Sequence, residues 1–84
     1  MIELFQFESC PYCRKVREKL ESLEVDYICR PLGRKGRNRE ELLKIGGKVQ
    51  VPFLVDNERS LRLYESEDII EHLELNFGSE ISKS

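Results

Sequence analysis

The most constraining feature of this 84-residue chain is a change of hydrophobic period near its start. "IELFQF", Ile2 to Phe7, is short, aromatic and β-prone, and predicts a buried strand. After Cys10 the apolar spacing changes. Cys13, Val16, Leu20 and Leu23 step by three, four and three residues, which draws one apolar stripe along a helix. Arg14, Lys15, Arg17, Glu18, Lys19 and Glu21 occupy its other faces. "VDYICR", Val25 to Arg30, predicts a second strand. A strand, a helix of about a dozen residues and a second strand form a βαβ unit, with parallel strands and a right-handed crossover.

The remainder extends this unit. "RPLGRKGRNRE" predicts a loop leading to a short helix around Glu40 to Ile45, ended by Gly46 and Gly47. "VPFLVD", Val51 to Asp56, is a third strand, "NER" its turn, and "SLRLY", Ser60 to Tyr64, a fourth. Their close spacing makes them an antiparallel hairpin. Ser66 is a good N-cap for a last helix, with Glu67 and Asp68 in its first turn. Ile69, Ile70, Leu73 and Phe77 supply its apolar face, and Gly78 stops it. The order βαβαββα predicts an α/β fold with a four-stranded mixed sheet and helices on both faces. One domain spans residues 1–78, and residues 79–84 are expected to be a frayed tail.

Composition excludes several functions. With 14 basic and 16 acidic residues the net charge is -2, so the total carries no nucleic-acid footprint. No apolar run approaches the roughly 18 residues that a membrane span needs. "MIELFQFESC" has no basic n-region, so a secretory signal is not expected and the expected compartment is the cytoplasm.

Within this frame, Cys10 and Cys13 are separated by Pro11 and Tyr12. A zinc ribbon needs a second ligand pair, and the remaining candidates, Cys29 and His72, stand far apart and alone. A structural clip between Cys10 and Cys13 would close too short a loop to remove much unfolded-state entropy. Redox chemistry is the leading reading. Cys10 falls at the mouth of the first helix, where unpaired amides and the positive end of the macrodipole favour an anion. Pro11 suits the first helical position. One turn on, Cys13 lies within disulfide reach but faces the protein, so Cys10 is expected to be exposed and Cys13 sheltered. Val51-Pro52 opens the third strand and is a candidate cis bond. A cis proline facing Cys10 and Cys13 would leave the Val51 backbone free to pair with an extended, peptide-like substrate.

These residues resemble the glutaredoxin family of the thioredoxin fold. "CPYC" matches its dithiol sequence, "VP" stands where its cis-proline belongs, and the likeness covers residues 1 to about 78. "KVQVPFLVDNERSLRLYESEDIIEHL" is similar to the N-terminal domain of glutathione transferases and to transferase-like bacterial glutaredoxins. That similarity implies that Glu65 and Ser66 hold the γ-glutamyl end of glutathione. No all-helical second domain follows in this sequence, so a transferase with its own acceptor pocket is not expected. Many glutaredoxins carry a basic residue three positions before the first cysteine. Here that position is Phe7, and the nearby Glu8 opposes an anion at Cys10.

The resemblance implies glutathione-dependent thiol–disulfide exchange, with Cys10 as nucleophile and Cys13 as resolving thiol. Tyr12, Val51, Pro52, Glu65 and Ser66 would bind glutathione. Glutathione would be a cosubstrate, with no permanently bound cofactor or metal. Its other partners would be disulfide-containing or glutathionylated proteins, met by a monomer that binds neither nucleic acid nor membrane. Two alternatives are a dithiol electron donor reduced by a flavin reductase and a non-turnover glutathione or iron–sulfur binding module. Glu65-Ser66 weighs against the first and Pro11, by the resemblance, against the iron–sulfur role.

Other residues are given plainer roles. Cys29 is expected to be a buried, inert thiol, with an accessory glutathionylation or dimer-forming site as the sharper alternative. His72 is expected at the surface or half-packed, and Tyr64 packed at the end of its strand. Arg34, Lys35, Arg37 and Arg39 form a basic cluster, expected to be a solvated loop. The alternative is a cationic rim for the glycine carboxylate of glutathione or for an acidic partner.

Overall fold

The computed structural model describes residues 1–78; the expected tail, residues 79–84, lies outside them. Strand β1 is Ile2–Gln6, helix α1 Pro11–Ser22, β2 Tyr27–Pro31, α2 Arg37–Gly46, β3 Phe53–Asp56, β4 Leu61–Leu63 and α3 Ser66–Leu73, followed by a π-helical turn at Glu74–Gly78. The sheet order is β2-β1-β3-β4. β1 runs parallel to β2 and antiparallel to β3, and β3 and β4 form the antiparallel hairpin. This is the thioredoxin-like fold.

Alternation along the central strands divides the core in two. Ile2, Leu4 and Leu54 point to one face, where they meet Val16 and Leu20 of α1 and Ile69 and Leu73 of α3. Phe5, Phe53 and Val55 point to the other face and meet Leu42 of α2. The apolar stripe of α1 is buried at Cys13, Val16 and Leu20. Leu23 falls on the helix end, and the Val25 N–H closes that end on the Leu20 carbonyl at 2.9 Å. This closing turn delays β2 to Tyr27, two residues beyond the expected start. Likewise β3 begins at Phe53, after Pro52, which has no N–H to give a ladder.

Three expectations are corrected. α2 begins at Arg37, with Gly36 at φ 79° as its N-cap, so Arg37 and Arg39 belong to the helix and not to the loop. Cys29 is exposed, because β2 is an edge strand with little packed over it. His72 is buried, 9% exposed, because Asp56 at the end of β3 draws it inward. His72 Nε2 donates to Asp56 Oδ2 at 2.8 Å.

Tyr64 packs at the end of its strand as expected. Its ring lies 4.4 Å from that of Phe53, and its hydroxyl donates to the Lys48 carbonyl at 2.6 Å. Gly46 allows this close approach: a β-carbon there would come within 2.1 Å of Tyr64 Oη.

Candidate active site

Cys10 is the N-cap of α1, and its extended backbone, φ -76° and ψ 119°, turns the chain from the loop into the helix. The Cys13 N–H donates to Cys10 Sγ at 3.3 Å, so sulfur takes the place that a serine or aspartate oxygen usually holds. Pro11 occupies the first helical position. Cys10 is only 7% exposed and Cys13 is fully buried. The expected contrast between an open and a sheltered thiol is therefore small, because the capping geometry folds Cys10 Sγ back toward its own helix.

The Cys13 thiol is pushed up to about 12. Burial is the main cause, and the hydrogen bond to Cys10 adds to it. The Phe7 backbone opposes the rise, the charge of Cys10 reinforces it, and Arg17 opposes it again.

Tyr12, Val51, Pro52, Glu65 and Ser66 line one groove of about 440 Å³, together with Gln50 and Glu67. The structure thus brings the five groove residues singled out from the sequence to one place. Cys10 and Cys13 do not line it, but Tyr12, 61% exposed, follows Cys10 by two residues and forms the shared wall. The Val51-Pro52 bond is cis. Ser66 is the first residue of α3 and is buried, while Glu65 takes the N-cap position. Glu65 has φ 68° and ψ 117°, a sparsely populated conformation that costs on the order of 1–3 kcal/mol and gathers at ligand sites. Its side chain accepts a hydrogen bond from Gln50 Nε2 at 3.1 Å across the groove. Lys15 of α1 pairs with Glu67 at 2.9 Å and ties the two helix starts together.

Sequence reasoning missed Gln50 and Glu67, and it missed a polar cluster behind the thiols. Gln6, 1% exposed, donates from Nε2 to Glu8 at 3.2 Å and to Cys29 Sγ at 3.1 Å. Its Oε1 accepts from Arg17 Nη1. Arg17 Nη2 also donates to the Glu8 carbonyl at 3.3 Å and lies 3.7 Å from the Glu8 carboxylate. A signal for this existed: Arg17 is four residues after Cys13, directly beside the buried stripe. Among the described residues, no group of three or more acidic, histidine or cysteine side chains is arranged to hold a metal ion. No described helix is long and apolar enough to cross a membrane.

Fold and site together define a thioredoxin-fold domain with a dithiol at a helix start beside a groove. Comparison with known proteins names the family. The model of the glutathione S-transferase N-terminal domain matches residues 4–80, and the chain belongs to that family. Glutaredoxin 3 of Escherichia coli K12 is 33% identical over 51 residues, 61% of this chain and 61% of that protein. The match therefore spans less than two thirds of that relative. A glutaredoxin-like 8.6 kDa protein from Clostridium pasteurianum, encoded in a rubredoxin operon, is 28% identical over 54 residues, 64% of this chain and 72% of that one. Among solved structures, glutathione S-transferase isozyme E7 of Drosophila melanogaster superposes with a TM-score of 0.78 at 29% identity. It covers 93% of this chain, which spans 35% of that transferase.

Proposed function

We propose that this protein is a glutathione-dependent thiol–disulfide oxidoreductase, acting on protein–glutathione mixed disulfides and on protein disulfides. The observation that carries this reading is the position of the CPYC segment against the groove. Tyr12 belongs to both, and the groove offers Ser66 and the amides of a helix start to a carboxylate.

Cys10 is the nucleophile. Its thiolate attacks the glutathione sulfur of a mixed disulfide, the S–S bond breaks, and the protein thiolate leaves and takes up a proton. Glutathione is now joined to Cys10, with its γ-glutamyl end at Glu65 and Ser66 and its backbone beside Val51. A second glutathione thiolate attacks the bound glutathione sulfur. Oxidised glutathione leaves and Cys10 is restored. With a protein disulfide as substrate, Cys13 attacks Cys10 in the intermediate, the reduced protein departs, and a Cys10–Cys13 disulfide remains. Two glutathiones then reduce it.

A glutathione-coupled mixed-disulfide assay on wild type, Cys10→Ser and Cys13→Ser tests the proposal. Cys10→Ser is expected to abolish turnover and Cys13→Ser to retain it. Turnover in Cys10→Ser would overturn the reading. Wild-type turnover with a flavin-dependent reductase but none with glutathione would move the protein to the electron-donor class.

A further inference from the structure

The cation expected before the thiols is absent from the sequence at Phe7, but the folded protein supplies one from behind. Arg17 follows Cys13 by one turn of α1, and side chains four apart on a helix are neighbours. Its side chain is only 19% exposed, so its charge is poorly screened. It is also held in place: Gln6 accepts from Nη1, and the Glu8 carbonyl accepts from Nη2 at 3.3 Å. The Glu8 carboxylate, 3.7 Å away, takes up part of its charge. The acidic neighbour that weighed against the thiols in the sequence is therefore engaged by an arginine in the structure.

We propose that Arg17 is a positioning residue that promotes attack by Cys13 on the Cys10 mixed disulfide, and that Glu8 sets how much of its charge reaches Cys13. This rests on the dithiol branch of the proposed function. In that step Cys13 Sγ forms a bond to Cys10 Sγ, the bond from Cys10 to the substrate sulfur breaks, and the substrate leaves as a thiolate that takes a proton. The two electrons it carries come from the cysteine pair, so no further reductant enters.

The step explains why Arg17 matters at that moment. In the free protein Cys10 itself raises the Cys13 thiol, by its hydrogen bond and by its charge. Once Cys10 is capped by substrate it can no longer ionise. What then bears on Cys13 is burial against the Phe7 backbone and the Arg17 guanidinium. Beside Glu8 from the loop, Arg17 shares a groove with Glu21 of its own helix, Glu24 and Asp26 of the following turn and Tyr27 of β2, and Cys29 of β2 meets it through Gln6. Burial pushes the Tyr27 hydroxyl up; Cys29 adds to the rise, Arg17 opposes it, and Glu8 and Glu21 add to it again.

The test measures Cys13 directly. In a Cys10→Ala background, the rate of Cys13 iodoacetamide alkylation is followed against pH, with peptide mass spectrometry separating it from Cys29. Arg17→Gln is expected to shift the profile to higher pH and Glu8→Gln to lower pH, while Arg17→Lys stays near wild type. In the Cys10-containing proteins, closure of the Cys10–Cys13 disulfide from a preformed mixed disulfide is expected to slow in Arg17→Gln. The slowing is about threefold for each tenfold loss of thiolate, since a more basic thiolate is also a better nucleophile. The Cys13-independent turnover of glutathione mixed disulfides should be unchanged. Coincident profiles for wild type and Arg17→Gln would overturn the inference, as would Arg17→Lys behaving like Arg17→Gln. Because the alkylation arm needs no glutathione turnover, its outcome stands apart from that of the functional proposal.

Discussion

Three cysteines in one small domain meet three different environments. Cys29 lies exposed on the edge strand, Cys10 is nearly covered as a helix cap, and Cys13 is fully buried. Native protein at neutral pH is therefore expected to react with a bulky maleimide first at Cys29. Cys13, raised to about 12, should stay unlabelled until denaturant is added. Labelling of Cys13 ahead of Cys29 in a peptide-resolved time course would contradict the burial pattern. Ser66 gives a second prediction at this scale. If its hydroxyl holds a carboxylate of glutathione, Ser66→Ala loses about 1.5–3 kcal/mol of binding, roughly a ten- to hundredfold rise in KM for the glutathione substrate. The folded protein should keep its thermal midpoint within a few degrees, because Glu65 and not Ser66 holds the N-cap position. An unchanged KM would remove Ser66 from the binding groove.

Between elements, the contact with most at stake is the polar pair joining β3 to α3. The Asp56 side chain is 2% exposed and accepts from His72 Nε2 at 2.8 Å and from Arg59 Nη1 at 3.2 Å. Burial raises this carboxyl, but the His72 hydrogen bond, the Arg59 backbone N–H and the nearby positive charges outweigh it and hold it below 3.8. A carboxyl depressed in the folded state stabilises the fold above its unfolded value and loses that contribution as pH falls through its folded value. Wild type should therefore lose stability on acidification below about pH 4. Asp56→Ala should cost about 3 kcal/mol in urea denaturation at pH 7, since it leaves His72 buried without its partner. The same variant should show a flatter acid limb. An equal acid limb in both proteins would place the sensitivity elsewhere. This pair also marks where sequence reading stops. The strands and helices were legible because apolar period and proline are local signals, whereas Glu65 and Ser66 were singled out through the family resemblance, and the N-cap read at Ser66 falls at Glu65. His72 was misplaced because its partner lies 16 residues away and no local pattern announces it. Cys29 was misplaced for the converse reason: "VDYICR" has the composition of a buried parallel strand, and only the sheet order reveals that it lies at an edge. Glu8 was read as facing the thiols alone, and only the fold shows that Arg17 pairs with it.

Across the whole molecule, the sheet separates two cores of unequal depth. Among the described residues, the α1/α3 side holds seven buried residues drawn from four elements, whereas the α2 side holds four, of which α2 contributes Leu42. α1 is capped by the Cys10 side chain, but the N-cap of α2 is Gly36, with no side-chain hydrogen bond. Few buried contacts and an uncapped start are the marks of a segment that opens before the rest. α2 is thus expected to form a separate opening unit. In native-state hydrogen exchange, its amides should exchange through an opening several kcal/mol below global unfolding, while those of β1, α1 and α3 follow the global transition. Side-chain truncation should divide the molecule in the same way. Leu4→Ala opens a cavity between two helices and the sheet, toward the upper end of the 2–5 kcal/mol that such changes cost. Leu42→Ala falls toward the lower end, because a helix with one fully buried residue, supported by the partly buried Ile45, can settle onto the gap. Gly46→Ala acts on the same helix through overpacking: the added methyl meets the Tyr64 hydroxyl at 2.1 Å and Phe53 at 3.2 Å. It should cost about 1–3 kcal/mol and widen the opening of α2 without touching the α1/α3 core. Exchange of α2 and α1 amides with one common free energy, in wild type and in Gly46→Ala, would show instead that the two faces unfold as one body.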